Sequence, residues 1–243
     1  MSSKFRYLFG AYLVWHFVEL IPYGEEVFGY TGMIEDPQLN PTAGLFPNIL
    51  NFVDPPLFIL FLSVIAGLFM FKIYYQLMAF ILFYGWACLL NRNNLIMNPG
   101  IPYIGWLLLA FNLIEDDPRS RTNRKLKQMA WFLILMGYTI SGLHKLQSPS
   151  WVDGSALRHI LSSPIARDNI IRDTLLATPP IVLQIHTWAA LSLELVSLPL
   201  GLFYYLKHWI WLALLLMNLG VLCLINFTDL TLGILIVHLF VIS

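Results

Sequence analysis

Eight apolar stretches, each near the length that crosses a bilayer, restrict this chain to a helical membrane bundle. The hydrocarbon core takes about 20 apolar residues per helix, within roughly 17–25. Stretches of that kind run over about 5–21, 56–71, 73–90, 101–116, 129–146, 181–206, 209–226 and 230–243. In lipid each backbone amide must find its partner inside the structure, which favours helices throughout. With 58% of its 243 residues apolar and 12% charged, the chain has no stretch suited to a separate soluble domain. Residues 1–243 are therefore expected to form one all-α, polytopic membrane domain of about eight spans. Lys4, Arg6 and the run to Ile21 have the outline of a signal sequence, but no A-x-A-like cleavage site follows. We read that run as a retained first span. Only Lys72 and its neighbours separate the second stretch from the third, so a tight helical hairpin is expected there.

Loop charge sets the expected orientation. Arg119, Arg121, Arg124, Lys125 and Lys127 form the densest basic cluster, which the positive-inside rule places in the cytoplasm. Threading from that loop puts Lys4, Arg6, Lys72 and Lys207 on the same side, and both termini with them. Residues 22–56 then lie outside, carrying Glu25, Glu26, Glu35, Asp36 and Asp54 and no lysine or arginine. Two outer segments are more than connectors. Residues 22–55 are rich in Pro, Gly and Asn, which favour turns. Residues 147–180 mix Trp151, Arg158, Arg167 and Arg172 with apolar side chains, and Ser155–Leu161 suits a short helix at the interface.

Ionisable side chains inside apolar runs are the best guide to function, because each costs roughly 2.5–3.5 kcal/mol to insert. With the expected topology, His16, Glu19, His144, Lys145, His186 and Asp229 reach a similar depth near the outer face. Glu194 lies roughly 12 Å beyond His186 by helical rise, and His238 is also near mid-membrane. One pocket opening to the outer side is the expectation. Each residue also has a plainer role. His16 and Glu19 can pair on one helix face, Lys145 can snorkel to the interface, and His186 can bond a nearby carbonyl. Glu194 is the hardest to place without a partner, since a carboxylate in hydrocarbon needs a cation or a donor.

Several functions are disfavoured. A net charge of zero leaves no basic surplus for nucleic acid. Cys88 and Cys223 lie in apolar runs without disulfide or metal-ligand spacing. His16, Glu19, His144 and His186 lack the H-x-x-x-H or E-x-x-H spacing of a metal site, so no metal is expected, and haem ligation lacks support in the same way. No Gly-rich phosphate loop, nucleophile elbow, CxxC pair or inverted repeat is present.

The stretch Tyr138-Thr-Ile-Ser-Gly-Leu-His-Lys-Leu-Gln-Ser-Pro-Ser-Trp-Val-Asp-Gly154 resembles the signature of the vitamin K-dependent gamma-carboxylase superfamily, which includes bacterial horizontally transferred transmembrane domain (HTTM) proteins. The shared elements are an aromatic, a small-Gly pair, Lys-Leu, then Trp and Gly. Weaker likeness extends from Glu26-Val-Phe to Gly32, over Asn91-Arg92-Asn93 and Leu107–Phe111, and from Trp188 to Glu194. The family's pocket histidine before the fourth span has no match, as Asn98-Pro99 stands there. The large luminal domain that holds the animal carboxylase's protein substrate has no counterpart in these residues.

The resemblance implies a bacterial inner-membrane protein acting on a reduced, vitamin K-like quinone, with Lys145 as general base. Loss of hydration at a dry helix end disfavours an ammonium and frees an amine to accept a proton. His144 would orient Lys145, and Glu194 would complete the catalytic group. His186, Trp151, His16 and Glu19 would line the cofactor pocket. Partners on this reading are the bilayer and a lipid-soluble small molecule. The competing reading is a non-catalytic subunit that packs against a partner membrane protein or lipid, its polar layer serving packing alone.

Overall fold

Helix starts follow local chemistry. Asp54 accepts from the Leu57 amide at 3.1 Å ahead of Pro55, and Asn169 accepts from Arg172 at 2.9 Å. Pro149 and Pro180 open helices at positions where a missing N–H costs nothing. A computed structural model describes residues 3–33, 46–96, 98, 100–115, 117, 119–226 and 228–243. Glu35, Asp36, Pro99 and the side chain of Asp229, named above, lie outside the described residues.

The order is α1 (Ser3–Leu20), α2 (Gly24–Phe28), α3 (Pro55–Met70), α4 (Tyr75–Arg92), α5 (Gly100–Phe111), α6 (Arg121–Lys145), α7 (Pro149–Val152), α8 (Ala156–Leu161), α9 (Ile170–Leu176), α10 (Pro180–Gly201), α11 (Lys207–Leu224) and α12 (Thr228–Ile242). Short 3-10 turns cover Ile21–Tyr23, Ile49–Asn51 and Asn94–Ile96. Among the described residues there is no strand, only an isolated bridge between Ala166 and Ile225. The fold is all-helical. Each of the eight apolar stretches is occupied by a helix. Two of them, α10 and α11, are long and apolar enough to cross a membrane. Helices α3, α5 and the 231–242 part of α12 are apolar but shorter.

The chain forms two units, Met1–Leu126 together with Ser243, and Lys127–Ile242. In the first, α1 packs on α3, α3 on α4, and α4 on α5. Phe9, Phe69 and Phe111 bring three helices together, with ring centroids 4.9–5.8 Å apart. Such edge and offset contacts add about 0.5–1.5 kcal/mol per pair beyond burial. The α3–α4 connection is the expected tight hairpin, with Lys72 (φ 66) and Tyr74 (φ 43) in the left-handed region. In the second unit α10 contacts α11, α11 contacts α12, and α7 and α8 lie on α10.

Candidate functional site

Lys145 ends α6 and meets the middle of α10. Its Nζ donates to Glu194 Oε1 at 2.5 Å, and it stands 4.3 Å from the Trp151 ring centroid. The Glu194 side chain is 5% exposed and that of Lys145 25%. Oε2 of Glu194 is buried and meets no protein donor among the described residues.

Small and hydroxylic residues set this register. A Cβ on Gly142 would stand 3.0 Å from the Leu195 nitrogen, so the two helices touch at backbone distance. One turn away, Thr139 Oγ1 lies 3.0 Å from Ser197 Oγ and accepts from the Leu198 amide at 3.1 Å. At the far end Trp131 donates to the Gly201 carbonyl at 3.0 Å. The contacts pair rising numbers on α6 with falling numbers on α10, so the helices run antiparallel. Glu194 consequently lies roughly 21 Å along α10 from Pro180, well past its start.

The earlier half of α10 is covered by the returning chain. Gly154, at φ +84, makes the turn between α7 and α8, and a Cβ there would meet Trp188 at 3.0 Å. Trp188 donates to the Val152 carbonyl at 3.0 Å, and the Leu157 amide donates to Thr187 at 3.2 Å. The helix expected over Ser155–Leu161 is α8, held against α10. In the turn itself, the hydroxyl and amide of Ser155 hold the Asp153 carboxyl below its usual range.

Not every residue singled out by sequence joins this group. His144 is exposed, because one residue turns about 100° around α6 from Lys145. His186 is also exposed, its Nδ1 donating to the Val182 carbonyl of its own helix at 2.7 Å. Lys145 and Glu194, expected at different depths, share one level. Helix α6 stops opposite the middle of α10 instead of at its end, and depth counted from each helix terminus misses that offset. His16 and Glu19 belong to the first unit. The His16 ring lies 4.6 Å from Trp86 and 5.3 Å from Phe17, in an aromatic cluster, and Glu19 is exposed.

Two polar features contain residues named from the sequence, His238 and Arg92, whose partners it did not indicate. Asn218 donates to the Tyr138 hydroxyl, which lies 3.3 Å from His238 Nε2. Trp211 donates to the His238 carbonyl at 3.1 Å. Asparagine in an apolar run was the available signal for this cluster of α6, α11 and α12. The second is Arg92, 2% exposed at the end of α4.

Among the described residues no group of three His, Cys, Asp or Glu side chains could hold a metal ion. No family model, curated protein or solved structure matches the chain.

Proposed function

We propose that this is an integral membrane protein of carboxylase-like topology in a bacterial inner membrane, in which Lys145 and Glu194 handle a proton of a quinone-type lipid. The observation that carries this reading is the Lys145–Glu194 contact, at 2.5 Å and largely buried. A buried ion pair is a poor stabiliser compared with apolar packing, so its presence here favours a chemical task over a purely structural one.

Placement in the membrane draws on α10 and α11, which are long and apolar enough to cross. The turn joining them exposes Phe203, Tyr204 and Tyr205, and the first turn of α11 exposes Trp209, an aromatic group suited to the bilayer interface. About eight crossings are read from the apolar stretches given above, and both termini in the cytoplasm from the loop charges.

The residues present fit a flat, hydroxyl-bearing ring. Trp151 offers an indole face, and Glu194 Oε2 is an acceptor with no protein donor among the described residues. A reduced quinone supplies the acidic hydroxyl. With such a ring bound, Glu194 would take the proton of the Lys145 ammonium and leave the Nζ lone pair to accept a proton from that hydroxyl. Trp151 holds the ammonium through its ring face when the proton returns.

Purified protein in nanodiscs, titrated with menaquinol under anaerobic conditions, tests this through quenching of tryptophan fluorescence. Saturable quenching is expected, weakened about tenfold in Glu194→Gln, equivalent to ~1.4 kcal/mol. Linear quenching with the same slope in parent, Glu194→Gln and Lys145→Met would remove the proposal.

A further inference from the structure

We propose that Arg92 is the anchor of an oxyanion-binding site in the first unit; this does not rest on the reading above. The guanidinium is enclosed by the Val27–Tyr30 segment. Its Nε donates to the Phe28 carbonyl at 2.8 Å, and its carbon lies 4.2 Å from the Tyr30 ring centroid. Asn93, the next residue, donates to the Val27 carbonyl at 2.8 Å and fixes that segment. Nη1 and Nη2 are both buried and meet no acceptor among the described residues.

An arginine stays protonated at any ordinary pH, and a buried cation without a counter-charge is strongly unfavourable. The Tyr30 face and the carbonyl end of α4 offset part of this. Neither supplies acceptors for two nitrogens. With Nε engaged, the free part of the guanidinium is the fork formed by Nη1 and Nη2. That fork matches two oxygens of one carboxylate or phosphate, whereas a spherical anion meets it at a single point. Tyr30 is the covering side chain and is itself 55% exposed. It bonds the Asn51 carbonyl at 3.3 Å, so its displacement opens the site at the loss of one long hydrogen bond and of the ring contact, which the anion's charge replaces. The oxyanion is a free small anion or a lipid headgroup, which share this chemistry.

The test compares thermal unfolding in nanodiscs of phosphatidylcholine, with sodium chloride, phosphate or acetate at matched ionic strength, and in discs with added phosphatidylglycerol. A midpoint rise of roughly 5 °C at saturation is expected. A rise with phosphate or acetate in neutral discs identifies a free oxyanion, and a rise confined to phosphatidylglycerol discs identifies a headgroup; both support the site. Folded Arg92→Met is expected to lose the response. If that variant does not fold, selectivity in the parent decides, together with a stronger response in Tyr30→Ala, which has no ring to displace. The proposal is overturned by no rise in any disc, by an equal rise with chloride, or by an undiminished rise in folded Arg92→Met. A silent parent that gains the response in Glu35→Gln/Asp36→Asn also overturns it, because the counter-ion is then internal.

Discussion

Gly142 and Glu194 face each other so closely that a Cβ on the glycine would stand 3.1 Å from the Glu194 Cβ. This approach brings Lys145, one turn further along α6, within reach of the carboxylate. Gly142→Val is therefore expected to separate the helices, destabilising the protein by about 1–3 kcal/mol. Gly142→Ala should do less, since its neighbours need to shift only slightly. Detergent unfolding midpoints check both. A valine variant as stable as the parent would show that close approach does not hold the helices together.

Removing one member of the Lys145–Glu194 pair should be asymmetric. Lys145→Met leaves a carboxylate that is 5% exposed without its cation, at about 3–5 kcal/mol. Glu194→Gln leaves an ammonium that is partly open and beside Trp151, so about 1–2 kcal/mol is expected. Lys145→Met/Glu194→Gln should recover much of the loss, because no unpaired charge remains. Unfolding in a double-mutant cycle measures the coupling directly. Additive single effects would mean that the two groups do not interact.

Helix positions were largely legible because apolar runs and helix ends are local properties. Lys72 between two such runs required the hairpin found there. Helix α5 stops at Phe111 instead of reaching 116, where the Asn112 side chain bonds the Leu108 carbonyl at 3.1 Å. Glu194 was legible as an acid in need of a partner. Which partner it finds depends on the α6–α10 register, set by Trp131, Gly142 and Gly201, which are distant in sequence. His144 shows the limit of adjacency, since the residue beside Lys145 faces outward. The Arg92 enclosure depends on a segment some sixty residues earlier, as the 64-residue separation of its Phe28 bond shows.

The α7–α8 turn should make a small contribution to acid sensitivity. Ser155 donates to the charged Asp153 carboxylate through its hydroxyl and through its amide, the latter at 2.8 Å, which lowers that group from its ordinary 3.8. A carboxyl depressed in the folded state stabilises it fully above the unfolded value. That contribution is lost as pH falls through the lower folded value. Asp153→Asn should flatten the acid limb of the unfolding midpoint, lying slightly below the parent at neutrality and meeting it below about pH 4. An acid limb identical to that of the parent would count against the Ser155 contact.

The Tyr138–Asn218–His238 cluster fixes a histidine tautomer. Asn218 donates to the phenolic oxygen, leaving the Tyr138 hydrogen to go to His238 Nε2. A neutral ring that accepts at Nε2 carries its proton on Nδ1, an atom that is buried and meets no acceptor among the described residues. Tyr138→Phe removes the shared oxygen and strands both neighbours, so a loss of about 1–3 kcal/mol is expected. Tyr138→Phe/His238→Phe should be less destabilised than the sum of its single changes, because one stranded group leaves with the ring. Nitrogen-15 shifts of the His238 ring report the tautomer, and unfolding midpoints report the energy. A proton found on Nε2 in the parent would reverse the donor assignment of the Tyr138–His238 contact.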